Sequence, residues 1–133
     1  MGLPTTRLGQ DRNARVHIVE TLGQLPQLYA LASVTIVGGS LVPGVGGHTP
    51  YEPIRADSAI ISGQSTANFA TEFEALDAAN AGLLAQPNTL SNAMIAALEN
   101  SQALAETART ILPPIENPDH ILAKLTADLD PSP

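Results

Sequence analysis

The residues best placed to do chemistry lie in one short run, Gly46-Gly47-His48-Thr49-Pro50-Tyr51-Glu52-Pro53. Thr49, Pro50 and Glu52 hold the N-cap, N1 and N3 positions of a capping box, which predicts a helix start. Two glycines directly before that start leave backbone amides unpaired and let an anion approach the main chain closely. Such a site needs no basic side chain. Glu52 has two readings on spacing alone: its carboxylate returns to the Thr49 amide and closes the box, or it contacts a ligand. His48, in a Gly-rich loop before a helix, is read as touching a ligand. Asn68 is either a cap or a polar contact, and spacing does not decide between them. The three histidines, His17, His48 and His120, show no ligand-like pairing, so no metal site is expected. His17 is read as a buried or half-buried hydrogen bonder within a strand. The chain has neither a P-loop nor a G-x-S-x-G elbow, and GGSLVPGVGG lacks the lysine of a Walker motif.

The elements that must carry these residues alternate between strand and helix. Residues 1–15 are polar and read as a loop or frayed start. Val16–Val19 (VHIV) reads as a strand of the buried type, Val34–Val37 (VTIV) as a second, Ala59–Ser62 (AIIS) as a third and Gly82–Ala85 as a weak fourth. Pro26 starts a helix bearing Leu25, Leu28, Tyr29 and Ala32. Ser65 or Thr66 caps the next, whose stripe is Phe69, Phe73 and Leu76. Asn88 caps a helix through Leu90, Met94, Ala97 and Leu98. Another carries Leu104, Ala108, Ile111 and Leu112, and Asn117 opens a last one with Ile121, Leu122, Leu125 and Leu129. The predicted fold class is α/β, a Rossmann-like parallel sheet flanked by helices, with residues 16–133 forming a single domain. Ligands of such sheets bind beyond the carboxyl ends of the strands.

Composition narrows the partners. The chain has 133 residues, 44% of them apolar and 3% aromatic, and a net charge of −7. Six basic against thirteen acidic residues argue against a nucleic-acid or anionic-membrane partner. The absence of cysteine removes thiol catalysis and thiolate metal sites. No secretory leader or membrane-spanning run is visible.

The segment Glu20–Pro53, followed by Asn68-Phe69 after a strand and a glycine, resembles the bacterial 3-deoxy-D-manno-octulosonic acid (Kdo) transferases. That family carries D-T-x-G-E-L, VGGSLV…GGHNPLEP and G-P…NF segments in this order. The resemblance covers roughly residues 16–129 here and about the last third of the family. It implies the carboxy-terminal, nucleotide-sugar-binding domain of a GT-B glycosyltransferase. The family transfers Kdo from CMP-Kdo to a lipid A precursor at the cytoplasmic face of the inner membrane. By this resemblance the Gly46 and Gly47 amides and the helix start at Thr49 face the CMP phosphate, and Glu52 bonds the ribose hydroxyls. His48 and Asn68 line the donor pocket, while Gly39 and Ser40 shape the neighbouring loop. No cofactor is implied. Glu20, Gln24 and Thr49 stand where the family has Asp, Glu and Asn.

The catalytic base and acceptor surface of the family belong to an amino-terminal domain, so this chain alone is expected to bind donor without transferring sugar. A whole domain of this kind is expected to have another strand-helix unit before residue 16, and its absence would leave a sheet edge open, which predicts a homodimer or marginal stability. Two other readings remain: a non-catalytic remnant or interaction module of the same fold, and another GT-B enzyme with a different nucleotide.

Overall fold

A computed structural model describes residues 2–112. The expected helix beyond Asn117 and His120 lie outside the described residues. The main sheet contains β3 (Val34–Ile36), β4 (Ala59–Ser62) and β5 (Leu83–Leu84), all parallel and in the order β3-β4-β5. Val34 pairs with Ala59 and Ile61 with Leu83. This is the α/β, Rossmann-like parallel arrangement expected, with helices on both faces of the sheet.

Alternation of side chains along β4 explains both faces at once. Ile60 joins a cluster with Val37, Ile54, Phe73, Leu76, Ala108 and Leu112. Ile61 points the other way, into a cluster with Ala85, Ala97, Leu83 and Met94. The first face is covered by α2 (Tyr51–Arg55), α3 (Ala70–Ala78) and α5 (Ser101–Ile111), the second by α4 (Leu90–Glu99). All four residues of β4 are buried, which is why AIIS reads as a continuous apolar run. Helix α1 (Leu25–Leu31) packs against α2 and starts at the predicted proline, Pro26 occupying its first turn.

Several expectations are corrected. The first fifteen residues are not all loop: β1 (Thr5–Arg7) pairs in parallel with β2 (Val16–Ile18), and Leu8 N–H extends the ladder to the Ile18 carbonyl at 3.0 Å. These two strands form a sheet of their own, hydrogen-bonded to neither edge of the main sheet. β2 is not the buried strand its β-branched residues suggested: Val16 is half-buried and Ile18 is 49% exposed. His17 is likewise exposed. Helix α4 begins after Thr89 rather than Asn88, and the Thr89 hydroxyl accepts the Gln86 amide at 2.9 Å.

Candidate functional site

The Gly-rich run after β3 and the segment after β4 meet at the carboxyl ends of their strands. Ser40 is the knot between them. Its side chain is 1% exposed; Oγ donates to the Val37 carbonyl and accepts the Gly63 amide at 2.6 Å. Its carbonyl accepts the Ser65 amide at 2.9 Å. Ser40 therefore ties the two loops together, its hydroxyl committed and buried. Gly63 makes the seam possible, because a Cβ there would stand 2.2 Å from the Ser40 carbonyl oxygen.

The chain then reverses through Gly46 and Gly47, at φ 84° and 77°, a region costly for residues with a Cβ. Asn68 sits in a 3-10 turn, Ala67–Phe69, and closes over this reversal. Its backbone amide donates to the Gly46 carbonyl at 3.0 Å, and Nδ2 to the Gly47 and Val45 carbonyls at 3.3 and 3.4 Å. The Gly46 amide, expected to face a phosphate, donates instead to Ser65 Oγ at 3.1 Å. Among the described residues, the amides of Gly47, His48 and Thr49 have no hydrogen-bond acceptor. Of these, His48 and Thr49 line the cleft described below, while Gly47 is buried behind it. Gly39 leaves space for the His48 ring, since a Cβ on it would lie 3.0 Å from Cδ2.

Helix α2 begins close to where the capping box placed it. Pro50 already carries helical dihedrals (φ −81°, ψ −16°), and Thr49 Oγ1 accepts the Tyr51 amide at 3.3 Å. The cap position itself falls to Pro50, one residue later than the sequence placed it, and the Thr49 hydroxyl takes a first-turn amide from just outside the helix. The second half of the box is not made, as the Glu52 carboxylate has no hydrogen bond to the Thr49 amide. Glu52 is exposed and lines a cleft of about 410 Å³ with Tyr29, Thr35, Gly38, His48, Thr49 and Phe69. The cleft opens at the carboxyl end of β3, where a parallel sheet of this kind receives ligands. Burial pushes the Tyr29 phenol above its ordinary value, and the nearby Glu52 charge adds to the rise. Tyr51 is also raised, by burial first and then by Glu72, whose carboxylate accepts its hydroxyl at 3.4 Å.

Of the eight residues singled out, the cleft wall collects His48, Thr49 and Glu52. Gly39, Ser40, Gly46 and Gly47 stand behind that wall, and the exposed Asn68 is outside the cleft lining, bonded to the Val45–Gly47 reversal. Tyr29 and Ser65 belong to the assembly and escaped the sequence reading. Tyr29 lies on the same three- and four-residue spacing as the packing side chains of α1, and Ser65 read as a helix cap. Thr66, the other cap candidate, precedes the 3-10 turn but makes no capping side-chain bond.

Two other hollows lie nearby. One of about 220 Å³ under α3 and β5 includes none of the eight residues. Another, about 470 Å³ across the ends of the three strands, touches only Ser40 among them. Among the described residues there is no group of three or more His, Asp or Glu arranged to hold a metal. No described helix is long and apolar enough to cross a membrane.

No family model matches the chain. It is 33% identical over 96 residues to the probable mitochondrial 3-deoxy-D-manno-octulosonic acid transferase of Arabidopsis thaliana, covering 70% of this chain and 22% of that protein. Against the 3-deoxy-D-manno-octulosonic acid transferase of Haemophilus influenzae it is 36% identical over 66 residues, covering 50% and 15%. The Chlamydia trachomatis enzyme of the same name is 30% identical over 103 residues, covering 75% and 24%. The chain therefore spans less than a quarter of the length of these relatives. Among solved structures, it superposes on the C-terminal CMP-Kdo binding domain of WaaA from Acinetobacter baumannii with a TM-score of 0.72 and 30% identity. That match covers 84% of this chain and 62% of that domain.

Proposed function

We propose, from the premise that this chain is a relative of the carboxy-terminal domain of the Kdo transferases, that it supplies the donor-binding part of such an enzyme. In this reading CMP-Kdo lies in the cleft between α1, the end of β3 and the run from His48 to Pro53. Glu52 accepts hydrogen bonds from the ribose hydroxyls. The amides of His48 and Thr49 face the phosphate, presented by the Gly46-Gly47 reversal behind them, which lets an acidic protein hold an anion without a basic side chain. Gly39 gives the imidazole of His48 its room, and Ser40, Gly46 and Asn68 hold the loop in shape. The single observation that carries the reading is that Glu52 leaves its capping partner and opens into the same cleft as His48 and Thr49.

The full reaction, transfer of Kdo to a lipid A precursor at the cytoplasmic face of the inner membrane, needs an amino-terminal domain that brings the base and the acceptor surface. No catalytic residue is assigned to this chain. It is proposed to bind donor and to transfer nothing by itself. A homodimer through the open edge of β3 is part of the same proposal.

Isothermal titration with CMP and with UDP tests the reading. Saturable binding of CMP in preference to UDP is expected, and Glu52→Ala should weaken it by about tenfold or more, the worth of charge-assisted bonds to two hydroxyls. A folded chain that binds neither nucleotide at millimolar concentration would overturn the proposal. Unchanged CMP affinity in Glu52→Ala would remove the ribose assignment.

A further inference from the structure

We infer that Ser65 is a positioning residue for the amide row that faces the nucleotide, a role that rests on the donor-binding reading above. The observation behind it is the commitment of the Gly46 peptide. Its N–H donates to Ser65 Oγ at 3.1 Å and its carbonyl accepts the Asn68 amide at 3.0 Å. Both polar groups of one buried glycine are thus tied to the 65–68 segment. Ser65 is itself anchored, its amide donating to the Ser40 carbonyl at 2.9 Å. The two segments approach so closely that a Cβ on Gly47 would meet the Ser65 carbonyl oxygen at 3.1 Å.

Ser65 does not line the cleft that holds His48, Thr49 and Glu52. It acts one step back. The chain runs from Gly46 through Gly47 into His48 and Thr49, so the angle at which those last two amides present their hydrogens is set where Gly46 is pinned. Removing the hydroxyl leaves a buried N–H without an acceptor, a state that protein interiors avoid by local rearrangement. The rearrangement would turn the row away from the phosphate while the sheet and its two apolar clusters persist. Threonine keeps an Oγ at the same position and should keep the bond.

The test is CMP titration of the unmodified chain, Ser65→Ala and Ser65→Thr, with thermal melts and amide spectra of each. Ser65→Ala is expected to weaken CMP about tenfold with a cooperative melt retained, and to move the Gly46 amide resonance. Ser65→Thr is expected to bind within about threefold of the unmodified chain. Equal CMP affinity in Ser65→Ala overturns the inference, and so does an equal loss in both variants, which would assign the effect to bulk rather than to the hydroxyl. Should Ser65→Ala fail to fold, the temperature coefficient of the Gly46 amide shift in the unmodified chain decides: a small coefficient marks a bonded N–H, and a solvent-like one overturns the inference. Lack of CMP binding by the unmodified chain is a separate result that removes the donor reading itself.

Discussion

At the scale of single residues, Glu52 shows how much a spacing can and cannot say. The pattern Thr49-Pro50-x-Glu52 placed the helix start to within one residue, with Pro50 as the cap and the Thr49 hydroxyl accepting the Tyr51 amide. It could not tell which way the carboxylate turns, because both orientations use the same rotatable side chain. The cleft resolves it, and brings in Tyr29, whose phenol is raised above the ordinary value of about 10. The phenol is neutral when protonated, so a raised native value means that the folded state keeps the proton. That contribution to stability is whole below the unfolded value and is lost as pH rises through the native one. With only two tyrosines in the chain, Tyr51→Phe isolates Tyr29 in an ultraviolet titration of the phenolate. Its midpoint should lie above that of a free tyrosine, and Glu52→Gln should lower it part of the way, because burial remains the larger cause. An unmoved midpoint would separate Glu52 from Tyr29.

At the scale of elements, the sequence was clearest where one residue type serves one purpose. VTIV and AIIS are strands of a parallel sheet because β-branched side chains fill both of its faces. VHIV is also rich in β-branched residues but has a different setting, paired only with Thr5–Arg7, and nothing in four residues reveals which sheet they join. Thr5–Arg7 itself is too short and polar to announce a strand. The seam between the loops after β3 and β4 was also hidden, since it rests on long-range contacts of Ser40 with Gly63 and Ser65. It makes a sharp prediction. Gly63→Ala should destabilise the fold by about 1–3 kcal/mol or more, because the new methyl meets fixed backbone rather than a movable side chain. Gly82→Ala, whose Cβ would be 3.5 Å from its nearest neighbour, should cost under about 1 kcal/mol. Denaturant unfolding of both variants gives the comparison, and equal losses would contradict the seam.

At the scale of the whole molecule, the chain is 84% covered by a domain of which it spans 62%, and its surface carries unusual apolar exposure. Leu22 is 98% exposed, Leu31 84% and Leu25 53%, all beside or within α1, and β3 forms an edge of the main sheet among the described residues. An open edge next to apolar side chains favours pairing with another chain. The melting midpoint should therefore rise with protein concentration, and sedimentation should show a dimer whose population grows alongside it. A monomer with a concentration-independent melt would contradict the pairing. The site residues sit on α1, α2 and the loops that follow β3 and β4, and none belongs to β1 or β2. The measurement that bears most directly on function is a CMP titration followed by backbone amide shifts. Saturable shifts concentrated at Gly47, His48, Thr49, Glu52 and Tyr29 are expected. Shifts that do not saturate in a folded chain, or that gather instead at the groove of Ser33, Asp57, Glu106 and Arg109 at the opposite end of the strands, would contradict the donor reading.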